Sequence, residues 1–256
     1  NSAFYWCRLK NITIPGSVET IGNNAFEGCP ITDLILEPGI KSIGNEAFKY
    51  CSHMQTVTIP GSVETIGDYA FRECSGLNTV VLEPGIKTIG EHAFWECSYL
   101  GNITIPGSVE TISPYTFYEC SRLSTIVLEP GVKAIGEYAF SECTNVTSVT
   151  IPESVKTIGD YAFYNINTAT DPWKNPIEKA KVILNEGLES IGSNAFYLKS
   201  GRNESPLYIP STLTSIGKDA FKGFFPEHVD ISDLAAWFNI DFENSLANPA
   251  NGCNLY

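Results

Sequence analysis

From Phe4 onward the pattern Phe-x-x-Cys returns every 22 or 23 residues: Phe4/Cys7, Phe26/Cys29, Phe48/Cys51, Phe71/Cys74, Phe94/Cys97, Phe117/Cys120 and Phe140/Cys143. A fixed period of this size is the signature of a solenoid. Such a chain stacks small units that each touch only their neighbours, so its surface consists of columns of equivalent side chains. A single elongated body is expected, and function is to be sought in columns.

The formal net charge of -13 argues against a nucleic-acid or anionic-membrane partner, since both need clustered Lys and Arg to replace counterions. No apolar run approaches the ~18 residues of a membrane span. The first residues, Asn1-Ser2-Ala3-Phe4, already lie inside a repeat with no cap before it. The chain therefore reads as a mature or excised piece of a longer protein, and the missing signal peptide says nothing about compartment.

Aligned units share a Leu-like residue, two variable positions, Ile-x-Ile-Pro, two more, Val-x-x-Ile-Gly, two more, then Ala-Phe-x-x-Cys. Ile12-Thr13-Ile14 alternates with period two, which puts Ile12 and Ile14 inward and Thr13 outward on a strand. After a turn at Pro15-Gly16-Ser17, Val18 and Ile21 form a second inward pair. Gly22 breaks the chain before Ala25, Phe26 and Cys29, whose spacing fits one face of a short helical turn. Ser113-Pro114 reads as a helix entry, an N-cap followed by Pro at the first helical position. Asp68, Glu91, Glu137 and Asp160 suit the positive end of such a turn. Strands centre on Ile12, Leu34, Val57, Val80, Ile103, Ile126, Val149, Val182, Leu207 and, more weakly, Val229. About ten rungs at the usual ~4.8 Å spacing make a rod or arc roughly 45 to 50 Å long.

The motif Ile-Pro-x-x-Val-x-x-Ile-Gly-x-x-Ala-Phe-x-x-Cys, as it stands at 14 to 29 and 59 to 74, resembles that of the BspA-like leucine-rich repeats of bacterial and some protozoan surface proteins. The resemblance runs from Asn1 to Phe221. It implies a leucine-rich-repeat solenoid: a right-handed superhelix with one parallel β-sheet face and short helical or irregular segments opposite. It also implies extracellular display and protein binding, adhesion included.

The period is broken twice. Between Phe163 and Val182 about ten extra residues appear, an insertion at about 164–181 carrying Asp171-Pro172-Trp173-Lys174-Asn175-Pro176. An insertion in a solenoid emerges as a loop on one face. It is either a tolerated loop of low closure cost or a binding element with Trp173 as its contact. The solenoid is thus expected over 1–223. From Phe224 the pattern fails, and Ser232 to Phe238 reads as a capped short helix. Trp237, Ile240 and Phe242 can cover the last rung, so 224–256 is a cap or an atypical repeat.

Seven of the eight cysteines share one inward column, with Cys253 outside it. Their spacing excludes a zinc finger or ribbon. In-register side chains point the same way, which disfavours disulfides, so buried reduced thiols are expected. The residue after the Val column reads Glu19, Lys41, Glu64, Lys87, Glu110, Lys133, Lys156, Glu189. Unlike charges on adjacent rungs attract, and Glu153 is a candidate counter-charge where Lys133 meets Lys156. Pro15, Glu37, Pro60, Glu83, Pro106, Glu129, Pro152 alternate in the same rhythm, so the true repeat is a pair of units, about 46 residues.

The outward residue of the third segment reads Asn24, Glu46, Tyr69, His92, Tyr115, Tyr138, Tyr161, Asn194. Helical spacing would set Trp95 beside His92, Tyr118 beside Tyr115 and Tyr164 beside Tyr161. Glu73, Glu96, Glu119 and Glu142 run alongside. The candidate contact residues are therefore Tyr69, His92, Trp95, Tyr115, Tyr118, Tyr138, Tyr161, Tyr164 and Trp173, because Tyr and Trp dominate binding surfaces. The competing reading is that stacked rings only stabilise neighbouring rungs. On the sheet, Thr13, Ile35, Thr58, Val81, Thr104, Val127, Thr150 and Ile183 form an uncharged outward column, a strand surface or a landing site.

His53, His92 and His228 fall in unrelated phases with no nucleophile or carboxylate at a matching spacing, and no phosphate-binding Gly-rich loop appears. No cofactor or metal is expected. Asn11, Asn102, Asn145 and Asn203 fit the glycosylation triplet, three of them through the repeat's own Asn-x-Thr strand entry. The expectation is a non-catalytic, monomeric cell-surface or secreted domain that binds an extracellular protein, such as a host matrix or cell-surface protein. A passive stalk that displays other domains, or a carbohydrate-binding module, is the alternative.

Overall fold

The alternation of inward Ile, Leu and Val with outward polar residues drives one short strand per unit. The computed structural model describes residues 1–166, 181–199, 206–250 and 254–255. Strands form at all ten expected positions, from Asn11–Ile14 and Asp33–Leu36 through to Leu207–Ile209 and His228–Ile231. Neighbours pair in parallel with equivalent residues in register, as in Ile12↔Leu34 and Val149↔Val182. The second inward pair makes strands as well: Thr20–Ile21, Ser42–Ile43, Thr65–Ile66 and onward to Ser215–Ile216 and Asp241–Phe242. Each typical unit thus contributes to two parallel ladders, with Ile21, Ile43 and Ile66 buried under the second.

The third segment is not a helical turn. Alternate residues donate forward to the next unit, as Asn24 N–H to Asn45 O (2.9 Å) and Phe26 N–H to Ala47 O (2.8 Å). The intervening residues donate three positions back, as Ala25 N–H to Gly22 O (3.2 Å) and Cys29 N–H to Phe26 O (3.1 Å). A helix would spend these donors within its own turn, whereas here half of them tie unit to unit. The geometry requires a left-handed residue at Asn24 (φ 55°) and its equivalents, a conformation that Asn and Asp tolerate best. Ser113 is accordingly no helix cap; its Oγ donates to Ile89 O at 2.5 Å. Asp68 and Asp160 face no helix N-terminus either. Their Oδ1 atoms accept from the backbone N–H of Glu91 (2.9 Å) and Ser193 (2.7 Å) one unit on.

The two-unit rhythm has a hydrogen-bonding cause. Four-residue registers join Asn11–Ile14 to Asp33–Leu36, Thr56–Ile59 to Thr79–Leu82, Asn102–Ile105 to Thr125–Leu128 and Ser148–Ile151 to Lys181–Leu184. Between these pairs the ladder shrinks to Thr79↔Asn102 and to Thr125↔Ser148 with Ile126↔Val149. Glu37, Glu83 and Glu129 extend the good ladders by donating N–H to Ile14, Ile59 and Ile105; the prolines at the alternate positions have no N–H to give. At the adjacent turn, Gly16, Gly61 and Gly107 donate to the carboxylates of Glu37, Glu83 and Glu129. Gly39, Gly85 and Gly131 donate instead to the hydroxyls of Ser62, Ser108 and Ser154. In the first units this turn is tight: a Cβ on Gly16 would lie 1.9 Å from Pro38 O, and Gly39 holds φ 121°, whereas Glu153 and Ser211 stand at the equivalent of Gly16 in later units.

Inside, the Phe rings stack nearly parallel from Phe4 to Phe221 at 5.1 to 5.4 Å between successive centroids. From Cys29 to Cys143 each column Sγ donates to a Phe carbonyl one unit back, as Cys74 to Phe48 O at 3.1 Å. The seven column cysteines are free. Burial pushes the Cys51 thiol up to about 12, with the Cys29 sulfur adding to it, and holds Cys74, Cys97 and Cys143 well above the ordinary thiol range. In the charge column Lys133 and Lys156 turn away from each other, toward Glu110 (2.8 Å) and Glu189 (3.3 Å). Glu153, the expected counter-charge, makes no ion pair among the described residues; Lys156 Nζ also donates to Gly187 O at 3.1 Å.

After Phe224 the chain continues the stack. His228–Ile231 pairs with Leu207–Ile209, and Asp241–Phe242 with Ser215–Ile216. Between them lies the helix Leu234–Phe238, capped by Asp233, whose carboxylate accepts from Ala235 N–H (2.8 Å) and Ala236 N–H (3.1 Å). Trp237 and Ile240 are buried, and Trp237 meets Phe242 edge-on at 5.2 Å.

Candidate functional site: an aromatic ridge beside a carboxylate groove

Tyr69, His92, Tyr115, Tyr138 and Tyr161 occupy the left-handed position of the third segment, with φ between 53° and 58°. Such backbone costs about 1–3 kcal/mol at a non-glycine residue and persists only where its surroundings enforce it. Here the enforcement is visible. The rings stack face to face, with centroids 4.6 Å apart for Tyr69–His92, 4.7 Å for His92–Tyr115, 4.7 Å for Tyr115–Tyr138 and 4.5 Å for Tyr138–Tyr161. Three residues on, a second rank flanks the first: Trp95 lies 4.9 Å from His92, Tyr118 5.7 Å from Tyr115, and Tyr164 5.4 Å from Tyr161. The spacing expected of a helix is thus produced by a non-helical turn. All eight rings are half-buried; within the first rank His92, Tyr115 and Tyr138 are stacked on both faces, Tyr69 and Tyr161 on one. Trp173 lies outside the described residues.

Cations complete the ridge. The Arg72 guanidinium sits 4.4 Å from the Trp95 ring and pairs with Glu73 at 3.0 Å. Lys199 lies 5.1 Å from the Tyr164 ring and pairs with Glu142 at 2.9 Å. Beside the ridge runs a groove of about 420 Å³ lined by Glu73, Glu96, Glu119 and Glu142 and by Ser75, Ser98, Ser121 and Thr144. Its two outer carboxylates carry the ion pairs just named; Glu96 and Glu119 make none among the described residues. Burial raises the Glu96 carboxyl above its ordinary range, and the carboxylates of Glu73 and Glu119 add to that shift. Burial likewise pushes the Tyr118 hydroxyl up to about 12, reinforced by Glu119. His92 is held below the usual imidazole range by burial, against an opposing pull from Glu91.

Sequence reasoning assembled the two ring ranks and the Glu column but missed the groove's second wall and the two cations. The triplets Glu73-Cys74-Ser75, Glu96-Cys97-Ser98 and Glu119-Cys120-Ser121 carried the signal for the wall. Lys199 carried none, because it reaches Glu142 from beyond the insertion.

A family model described as the BspA type leucine rich repeat region, in 6 copies, matches residues 1–123 and 110–234. The chain belongs to the BspA-type leucine-rich-repeat family. Among solved structures, this BspA-type chain is similar to a leucine-rich repeat protein from Bacteroides ovatus, at 24% identity and a TM-score of 0.57, over 99% of this chain and 79% of that one. It is also similar to a leucine-rich cell surface protein from Faecalibacterium prausnitzii, at 20% identity and a TM-score of 0.35, over 95% of this chain and 84% of that one. The first of these likenesses shows the shared solenoid fold. No curated protein matches the chain.

Elsewhere on this BspA-type solenoid, Ile35, Val81 and Val127 project from the long-strand sheet, between 45% and 57% exposed. The histidines stay apart: His53 is exposed, His92 is stacked in the ridge, and His228 lies 3.4 Å from Asp230 on its own strand. Of the glycosylation triplets, Asn11 and Asn102 are exposed, while the Asn145 amide donates to Ser121 O at 2.7 Å. Asn203 lies outside the described residues. Among the described residues no group of three His, Cys, Asp or Glu could hold a metal ion, and no helix is long and apolar enough to cross a membrane.

Proposed function

We propose that this chain is a non-catalytic binding domain of a cell-surface or secreted protein, which adheres to a host or neighbouring-cell protein through the ridge and groove. The observation that carries this reading is the juxtaposition of Trp95, Tyr118 and Arg72, residue types enriched in binding hot spots, with the carboxylates of Glu96 and Glu119, which make no ion pair among the described residues. A rod of this kind presents such a surface along several consecutive units. Because stacking occupies the ring faces of the first rank, contact is made by ring edges, hydroxyls and carboxylates. That suits a protein partner better than a sugar, which needs a free aromatic face. The same stacking supports a second reading, a stiff stalk that displays other domains.

Capture of proteins from host-cell surface and matrix extracts tests the two. Trp95→Ala and the double variant Glu96→Gln/Glu119→Gln are expected to weaken capture at least tenfold while the far-ultraviolet circular dichroism stays unchanged. Folded variants that capture the same proteins as the wild type would move the contact elsewhere; a wild-type chain that captures nothing supports the stalk.

A further inference from the structure

We propose that Tyr138 and Tyr161 are a site of oxidative modification, at which peroxide-driven coupling joins the two rings by a carbon–carbon bond and staples adjacent units. Their centroids are 4.5 Å apart with planes 3° from parallel, which is the shortest spacing in the ridge. Tyr138 also stacks on Tyr115 at 4.7 Å and meets Tyr118 at 6.3 Å, so an oxidised ring at the centre of the ridge always has a phenol within contact. Both residues are half-buried, so neither is sealed in the core as the Phe column is. Backbone hydrogen bonds hold the two in register: Tyr138 N–H donates to Asp160 O at 2.9 Å, immediately before Tyr161. The effective concentration of one phenol at the other is therefore that of a preorganised contact. The seven column thiols are free and form no covalent link between units; Cys143 donates to Phe117 O at 3.2 Å.

The chemistry balances. Each phenol gives up one electron and one proton to become a phenoxyl radical, and the radicals couple at the carbons ortho to oxygen. The two hydrogens on those carbons then shift to the oxygens and restore both phenols. The two electrons and two protons released reduce one hydrogen peroxide, activated by a haem peroxidase, to two waters.

The test is treatment of the dilute chain with a haem peroxidase and limiting hydrogen peroxide. Dityrosine fluorescence, the loss of two hydrogens in the intact mass and mapping of the linked peptides are then followed. The expected result is an intramolecular link between the peptides carrying Tyr138 and Tyr161, with a yield per chain unchanged on tenfold dilution. Tyr138→Phe keeps the stack and is expected to remove more than half of the signal, whereas Tyr5→Phe, remote from the ridge, leaves it intact. Coupling that falls with dilution, links mapped to Tyr99 or Tyr5, oxygen addition without coupling, or an undiminished signal in Tyr138→Phe would each overturn the assignment.

Discussion

The Glu83 carboxylate accepts a hydrogen bond from the N–H of Gly61, 2.9 Å away in the preceding unit. The same contact recurs at Gly16–Glu37 and Gly107–Glu129, always from a Pro-Gly-Ser unit to the Glu-Pro-Gly unit that follows it. Glu83→Ala leaves the Gly61 donor to solvent and is expected to cost about 1 kcal/mol, the typical net worth of such a bond. Glu129→Ala is expected to cost the same, and the double variant the sum, because the sites lie two units apart. Urea midpoints measure this. Midpoints unchanged in all three variants would show the contact to be energetically idle.

The Phe column makes the strongest stability prediction. Phe94 is fully buried and stacked on both faces, at 5.2 Å from Phe71 and 5.3 Å from Phe117. Phe94→Ala is expected to cost about 3–5 kcal/mol. Phe4 is 42% exposed and stacked on one face only, so Phe4→Ala should cost less than half as much. Equal losses at the two sites would mean that stacking, and not burial, dominates the column.

Thiol chemistry separates the sealed part of the Cys column from its open end. The nucleophile is the thiolate, and burial raises the thiols of Cys51, Cys74, Cys97, Cys120 and Cys143 far above pH 8. These five are expected to resist alkylation in the native chain and to label fully in denaturant, while half-buried Cys7 labels first. Residue-resolved mass spectrometry reads the order. Native labelling of Cys97 at the rate of Cys7 would contradict the buried column.

His92 predicts a pH effect of known sign. Its folded-state value is depressed, so below the ordinary imidazole value near 6.5 the unfolded chain binds the proton first. Stability from this residue is then complete above that pH and declines as pH falls toward the lower folded value. His92→Tyr continues the Tyr column on both sides and removes the titration. The variant is expected to lose less stability than the wild type between about pH 7 and pH 5. Equal slopes would mean that the His92 ring reaches water when protonated.

The repeat could be read directly, because a column must carry the same residue type in every unit to fill the same space. Phe-x-x-Cys, Ile-x-Ile and Val-x-x-Ile located the core and all ten long strands. The ring ranks of the candidate site were equally legible, since residues one period apart must become neighbours. What escaped was the backbone between them. Ala25-Phe26 and its equivalents looked helical because inward spacing at i, i+1 and i+4 does not distinguish a helix from a turn of alternating hydrogen-bond direction. Only the neighbouring unit, offering Asn45 O and Ala47 O to Asn24 and Phe26, makes the latter the better use of those donors.

By itself, then, the sequence determined the period, the inward columns, the alternation of Pro with Glu and the rows of aromatic and acidic side chains, because each is a property of residue type at a spacing. The tertiary structure alone decided what those rows became. It turned the Pro/Glu alternation into strong and weak ladders, set the first-rank Tyr rings face to face, and brought Lys199 across two units to Glu142. Those outcomes depend on which donors and ring faces a neighbouring unit satisfies, and stacking alone fixes that neighbour's position in space.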